Sequence, residues 1–202
     1  MEMDCSIALF IREQREREEE EKRRELREKH DPRKWISYTL EELTEGIKKG
    51  KQYIYTLRLE FETRELLSGR IKIPYIKDFF DVNDDEPETA LLASNRHKVT
   101  MNISDAPCNN PQQPFEEWIA QTKEAMKAMH LHMKLEKKET VGEIEYFCFT
   151  MPTSAGQVYS VMFRLQKNGR LCVGASNCME EEREGMGLLL EAMVHVIEEI
   201  NR

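Results

Sequence analysis

Cys178 has the best claim to nucleophilic chemistry in this sequence. It stands just before a run with helical period, and a helix N-terminus can lower a thiol pKa. The thiolate is the attacking form, so His97 or His195 would have to serve as base. His195 lies several turns along that run, and no signature surrounds the cysteine, so a buried or capping thiol is the competing reading. His130-Leu131-His132 is the best metal fragment, since a strand would turn both imidazoles to one face. Tetrahedral zinc needs three or four ligands, and nothing adjacent supplies the rest. Solvated histidines at a helix end are the preferred reading of the pair. Cys148 and Cys172 sit in apolar runs, where a free cysteine behaves as a small hydrophobe. Asp81-Val82-Asn83-Asp84-Asp85-Glu86 offers oxygen ligands, but without the spacing or glycine of a calcium loop. Trp118 and the methionines near it fall at helical spacing, which is the pattern of a core. No catalytic residue, metal ligand or cofactor is therefore assigned from the sequence.

The elements that would position such groups are clearest from Glu143 onward. Ile144, Tyr146, Cys148 and Thr150 alternate with Glu145, Phe147, Phe149 and Met151, which predicts a strand covered on both faces. Met151 to Gly156 stops it, and Val158 to Leu165 follows as a second strand. Asn168-Gly169 then closes a hairpin, because a two-residue type I′ turn needs positive φ at both positions. Leu171, Val173 and Ala175 continue into a third strand. From Met179 the period changes: Met186, Leu189, Leu190, Met193, Ile197 and Ile200 form one apolar stripe, with Glu191, His195, Glu198 and Glu199 between them. Gly185 and Gly187 weaken this helix, and close packing on the sheet is the reading for them.

Upstream, Thr39-Leu40-Glu41-Glu42 is a capping box opening a helix from about Leu40 to Lys49, with Gly50 as its stop. Tyr53 to Glu62 alternates as a strand, and Ser68-Gly69 turns into a second strand, Arg70 to Ile76, ended or bulged by Pro74. Asp78 to Pro87 reads as an acidic loop and Glu88 to Ser94 as a helical turn. His97 to Ile103 is a strand, and Pro114 opens a helix carrying Phe115, Trp118, Ile119, Thr122, Met126 and Met129. A strand from Met133 to Thr140 completes the set. The fold class is α+β, with an antiparallel sheet packed against helices. Residues 1–50 form a charged helical extension of two helices, and residues 51–202 the sheet domain.

Arg12 to Lys29 mixes both charges at i,i+4 spacing, the pattern of a solvated helix. Leu9, Phe10 and Leu26 are its apolar points, and they are the candidate partner-binding residues. The 202 residues carry a net charge of −8 with a pI near 5.3, which argues against non-specific nucleic-acid binding. No apolar run approaches a membrane span, and the Ile7 to Ile11 run is too short for a signal peptide. Five scattered cysteines fit reduced thiols, so a cytoplasmic location is expected.

From about Gly69 to Ile200 the order of elements resembles a known family. The carrying features are a helix opened by Pro114-Phe115-Glu116-Glu117-Trp118-Ile119, a four-strand meander through Gly169-Arg170-Leu171-Cys172-Val173-Gly174, and a closing helix. The PsbP-like fold is similar, shared by photosystem extrinsic proteins, the Ran-binding Mog proteins and small bacterial relatives of unknown role. The resemblance implies an antiparallel sheet between helices and a non-catalytic binding or assembly role, and it transfers no site residue. The expected function is a bacterial cytoplasmic protein-interaction module, through a protein partner or self-association. The alternative is a small-ligand protein or enzyme with a pocket between sheet and helices, using Cys178, His97 or His130.

Overall fold

The computed structural model describes Gln14, residues 17–22, Asp31, Arg33 and residues 35–202. The chain divides into two compact units, Met1–Ile36 and Ser37–Arg202. In the first, residues 17–22 are helical and exposed, and Arg33 forks onto Asp31 through Nε and Nη2 at 2.9 and 2.7 Å.

The second unit opens with α1 (Leu40–Lys48). Thr39 Oγ1 accepts from the Glu42 amide at 3.2 Å, and the Glu42 carboxylate accepts from the Thr39 amide at 3.1 Å. These reciprocal bonds satisfy two otherwise orphaned donors. Gly50 follows at φ 77°, as its place after the helix requires. Leu43 and Ile47 of α1 are buried in the main core, so this helix is part of the sheet unit. The boundary expected at residue 50 thus lies at Ile36/Ser37, because the apolar stripe of α1 needs the sheet unit to cover it.

Next come β1 (Lys51–Ile54), β2 (Leu57–Leu66) and β3 (Ile71–Ile76), a three-stranded antiparallel sheet in the order β1-β2-β3. The single strand expected over Tyr53 to Glu62 is therefore a hairpin that reverses at Tyr55-Thr56. Tyr55 takes φ 53° without being glycine or asparagine, and its amide donates to the Tyr38 hydroxyl. That bond and the packing of the Tyr55 ring on the Tyr38 ring, 5.6 Å away, hold a turn that local chemistry does not announce. Pro74 sits within β3, an edge strand, where the missing donor costs little.

A seven-stranded antiparallel sheet follows: β4 (Val82–Asp85), β5 (Thr89–Ser94), β6 (Val99–Pro107), β7 (Lys134–Val141), β8 (Ile144–Thr153), β9 (Gly156–Lys167) and β10 (Arg170–Met179). Its order is β4-β5-β6-β10-β9-β8-β7. Two expectations change here. The acidic loop contains β4, and the helical turn at Glu88 to Ser94 is β5, whose Ala90, Leu92 and Ser94 face the core. Helix-favouring Ala and Leu are overridden by pairing with β6.

The Asn168-Gly169 turn forms as expected, at φ 53° and 73°. A Cβ on Gly169 would meet nothing within 4 Å, so any cost of replacing it lies in the backbone. Gly169→Ala should destabilise by about 1–2 kcal/mol, the left-handed penalty of an L residue. A urea midpoint unchanged in that variant would refute this account of the turn.

Helix α2 (Phe115–Ala128) lies on one face of the seven-stranded sheet, held by Trp118, Ile119, Met133, Phe147 and Phe149. Arg164 of β9 stacks under Trp118 at 4.9 Å and donates to Glu145 at 2.6 Å and to the Gln113 carbonyl at 2.8 Å, fixing the approach to α2. Met129, expected on the buried face, is 59% exposed because the helix ends before reaching the sheet there.

Helix α3 (Leu188–Asn201) serves the opposite face, after a 3-10 turn at Glu180–Glu182 and a wide turn at Arg183–Gly187. Its neighbours include β3 and α1 as well as β8 and β9. Covered from several sides, it buries Glu191 and Glu198 along with its apolar stripe, where one buried stripe was expected. The two glycines before it answer to close packing. A Cβ on Gly185 would stand 2.7 Å from the Tyr55 ring, and one on Gly187 2.8 Å from the Tyr159 ring.

Candidate functional site

The chemistry-bearing residues of the described chain gather under α3. In β7 the register jumps from Leu135↔Phe149 to Lys137↔Cys148, so Glu136 and Lys137 share a position where one residue would normally stand. This bulge turns Lys137 inward, because an uninterrupted strand would place it on the same side as Leu135. Lys137 Nζ reaches Glu191 Oε2 at 2.9 Å and Glu139 Oε1 at 3.2 Å. Tyr159, buried on β9, donates to Glu191 Oε1 at 2.6 Å. Tyr146 donates to Glu139 Oε2 at 2.6 Å, and His195 Nε2 lies 3.2 Å from the same hydroxyl. Two carboxylates, two phenols, an ammonium and an imidazole therefore form one connected network.

Each of these groups is committed to a partner. Burial, then the neighbouring carboxylates and Cys148, push the two tyrosine hydroxyls above the ordinary phenol range. They stay protonated donors at neutral pH, and that fixes the geometry of α3 against β7 to β9. Burial likewise holds His195 below the usual imidazole range. The charges facing it are Glu139 and Lys137 of β7 and Glu191 and Glu199 of its own helix, with the Tyr146 hydroxyl beside it.

A pH dependence follows with a definite sign. His195 and His97 have folded pKa values below 6.5, both through burial, so their stability contribution is present above that pH and lost as pH falls through it. A second loss comes below 4.5 from three lowered carboxylates. Glu136 is held down by Lys134 and Glu198 by Arg202; for Glu139, burial opposes the charge but Tyr146 and Lys137 outweigh it. Urea midpoints should therefore fall from about pH 7 to about pH 5, and the His97→Gln, His195→Gln double variant should remove that first limb. Midpoints flat across this interval in the unaltered chain would contradict the assignment.

Of the two readings of Cys178, the buried thiol is the one the structure has. Cys178 is buried on β10, and burial with the charges of Glu182 and Glu180 pushes its thiol up to about 12. Cys148 and Cys172 are also buried and pushed up to about 12, chiefly by burial. The helix that would have activated Cys178 starts ten residues later, at Leu188, so no dipole offsets the desolvation. His97 stacks on Phe79 at 4.7 Å, in the β5–β6 turn. No hydrogen bond joins it to Cys178 or His130 among the described residues. His130 takes φ 60° after α2, with its amide on the Lys127 carbonyl at 3.0 Å and the Leu131 amide on the Met126 carbonyl at 2.9 Å. That is a helix-ending motif, and the side chains of His130 and His132 are both exposed. Among the described residues no three His, Cys, Asp or Glu side chains converge as a metal would need. Leu9, Phe10 and Leu26, the expected partner-binding residues, lie outside the described residues.

The outer face of the seven-stranded sheet is the other notable surface. The register aligns Leu91, Asn102, Ala175, Met162 and Phe147 in one row across five strands. α2 covers the Phe147 end of this row. Asn102 and Leu91 are exposed at the other end, Leu91 by 39%, among small side chains such as Ala93, Ser104 and Ala175. This end of the row is exposed and partly apolar.

No family model matches the sequence, and no curated protein does. A solved structure does: cyanobacterial PsbP (CyanoP) from Synechocystis sp. PCC 6803 superposes with a TM-score of 0.52 at 8% identity, over 66% of this chain and 89% of that one. The protein of unknown function PA94 from Pseudomonas aeruginosa superposes with a TM-score of 0.41 at 10% identity, over 67% of this chain and 94% of that one. The chain thus has a PsbP-like α+β fold, as the order of its elements implied. Among its described residues no helix is long and apolar enough to cross a membrane.

Proposed function

We propose that this chain is a non-catalytic protein-interaction module of the bacterial cytoplasm. The observation that carries the reading is the half-covered outer face, where α2 leaves Leu91 and its small neighbours on β5, β6 and β10 in water. An exposed, partly apolar sheet face of this kind suits another protein better than a small molecule, which needs concavity. The buried, protonated thiols and the fully paired network under α3 support a binding role over a catalytic one. Free cysteines at positions 108, 148, 172 and 178 fit a reducing compartment. Leu9, Phe10 and Leu26 supply a second contact from the N-terminal segment.

The test is affinity capture from native lysate with the full chain, with residues 37–202, and with Leu91→Asp. A protein recovered in stoichiometric amount by the full chain and lost with Leu91→Asp carries the reading. Equal recovery with all three, or none with any, removes it. A second reading, a small-ligand protein, is favoured by one observation on a different surface, a cleft lined by Arg70, Lys167 and Arg170.

A further inference from the structure

Two tight turns a hundred residues apart each end in glycine-arginine: Gly69-Arg70 before β3 and Gly169-Arg170 at the start of β10. The fold brings them to one cleft of about 360 Å³, lined by Arg70, Lys72, Lys167, Arg170 and Arg202, with Asp105 as the one carboxylate side chain. Its size falls at the lower end of small-molecule sites, roughly 300–1,000 Å³.

Asp105 organises the cations. Its side chain is 4% exposed, and Oδ2 accepts Arg170 Nε at 2.6 Å and Arg70 Nη1 at 3.0 Å. Arg70 Nη1 also donates to the Pro87 carbonyl at 2.9 Å, and Arg170 Nη2 reaches the Asp105 carbonyl at 3.4 Å. Both guanidinium planes are thereby fixed, while Arg70 Nε and Nη2 and Arg170 Nη1 keep donors without an acceptor among the described residues. Lys167 Nζ donates to the Asn201 carbonyl at the end of α3 and has no carboxylate partner among the described residues. That bond offsets the partial negative charge of the helix end, which would otherwise oppose an anion. Lys72 stands 3.8 Å from Glu65, and Arg202 is paired with Glu198 at 2.7 Å, so these two are neutralised. What remains is three cations against one carboxylate and the partial negative charge of the helix end, a local positive excess of about 1.5 in a chain of net charge −8.

We infer that this cleft binds a phosphate monoester dianion, with Arg70, Arg170 and Lys167 as the contacting cations and Asp105 as their positioning residue. A dianion draws on the whole of that excess, whereas a lone carboxylate would leave part of it unmet. Donors also converge from the β2–β3 turn and the β9–β10 hairpin, which suits three phosphate oxygens better than the two of a carboxylate. The site is independent of the outer sheet face, so either proposal can fail alone.

The experiment is calorimetric titration of the full chain with glycerol 3-phosphate, with acetate as control, for the unaltered protein, Lys167→Gln, Arg70→Gln and Leu91→Asp. Lys167 does not touch Asp105, so its variant keeps the buried carboxylate paired and the fold intact. Glycerol 3-phosphate should bind, lose about tenfold or more in affinity in each cation variant, as for charged hydrogen bonds, keep its affinity in Leu91→Asp, and weaken with added salt. Vesicles with and without phosphatidate separate the sources. Phosphatidate-dependent binding lost in Lys167→Gln assigns the group to a lipid, and glycerol 3-phosphate binding without vesicle binding assigns it to a soluble metabolite. No heat at millimolar glycerol 3-phosphate, acetate binding of equal strength, or affinity retained in both cation variants would overturn the inference.

Discussion

Phe147→Ala should lower the stability of the sheet unit by about 3–5 kcal/mol, the usual cost of removing a fully buried aromatic ring. Phe147 is 0% exposed and sits 4.9 Å from the Trp118 ring, edge-on, with Phe149 at 5.7 Å and Phe115 at 6.4 Å. The outer cluster has only five buried members, so it has no surplus packing to refill the space. At roughly 2–4 °C per kcal/mol for a unit of this size, the midpoint should fall by about 10 °C. Amide exchange should identify the cause: protection should drop across Phe115–Ala128 well before Leu188–Asn201 loosens. A loss under about 1 kcal/mol would mean that α2 is held by something other than this ring.

The second large effect concerns Glu191. Replacing it by leucine takes from the Tyr159 hydroxyl, 1% exposed at the residue level, its carboxylate acceptor and leaves Lys137 with Glu139 as its remaining carboxylate partner. The expected loss is about 3 kcal/mol, at the low end for a broken buried pair because Lys137 keeps part of its surface in water. The triple variant Glu191→Leu, Tyr159→Phe, Lys137→Met should recover a large part of that loss, since no polar group is then left unpaired. Urea titrations of both decide it. Equal losses in the single and triple variants would show that the cost is packing and not unmet polarity.

Much of the fold was legible because local chemistry and tertiary contacts agreed. Asn168-Gly169 announces its turn by the φ values it tolerates, and Thr39 with Glu42 announces a helix start by bonds those two residues make themselves. Tyr55 carries no such sign: its positive φ depends on the Tyr38 hydroxyl, seventeen positions earlier. β5 reads as a helical turn because Ala90-Leu91-Leu92-Ala93 favours a helix until β6 offers a ladder. Glu191 and Glu198 looked solvated because a single stripe tells how one side of a helix is buried, not how many elements surround it. The cleft was invisible for a related reason. Arg70 and Arg170 each read as an ordinary turn residue, and only the fold brings both to Asp105.

The position of α3 has a consequence for how the protein is made. On the ribosome, every strand of both sheets emerges before Leu188–Asn201 does. Until then the inner faces of β8, β9 and β10, with Tyr146, Tyr159, Val161 and Phe163, have no helix to cover them. At about 5–20 residues per second that apolar surface stays bare for seconds, long enough to recruit a holding chaperone or to pair wrongly. Translation that stalls before residue 188 should therefore yield an insoluble chain, however well the earlier elements are coded.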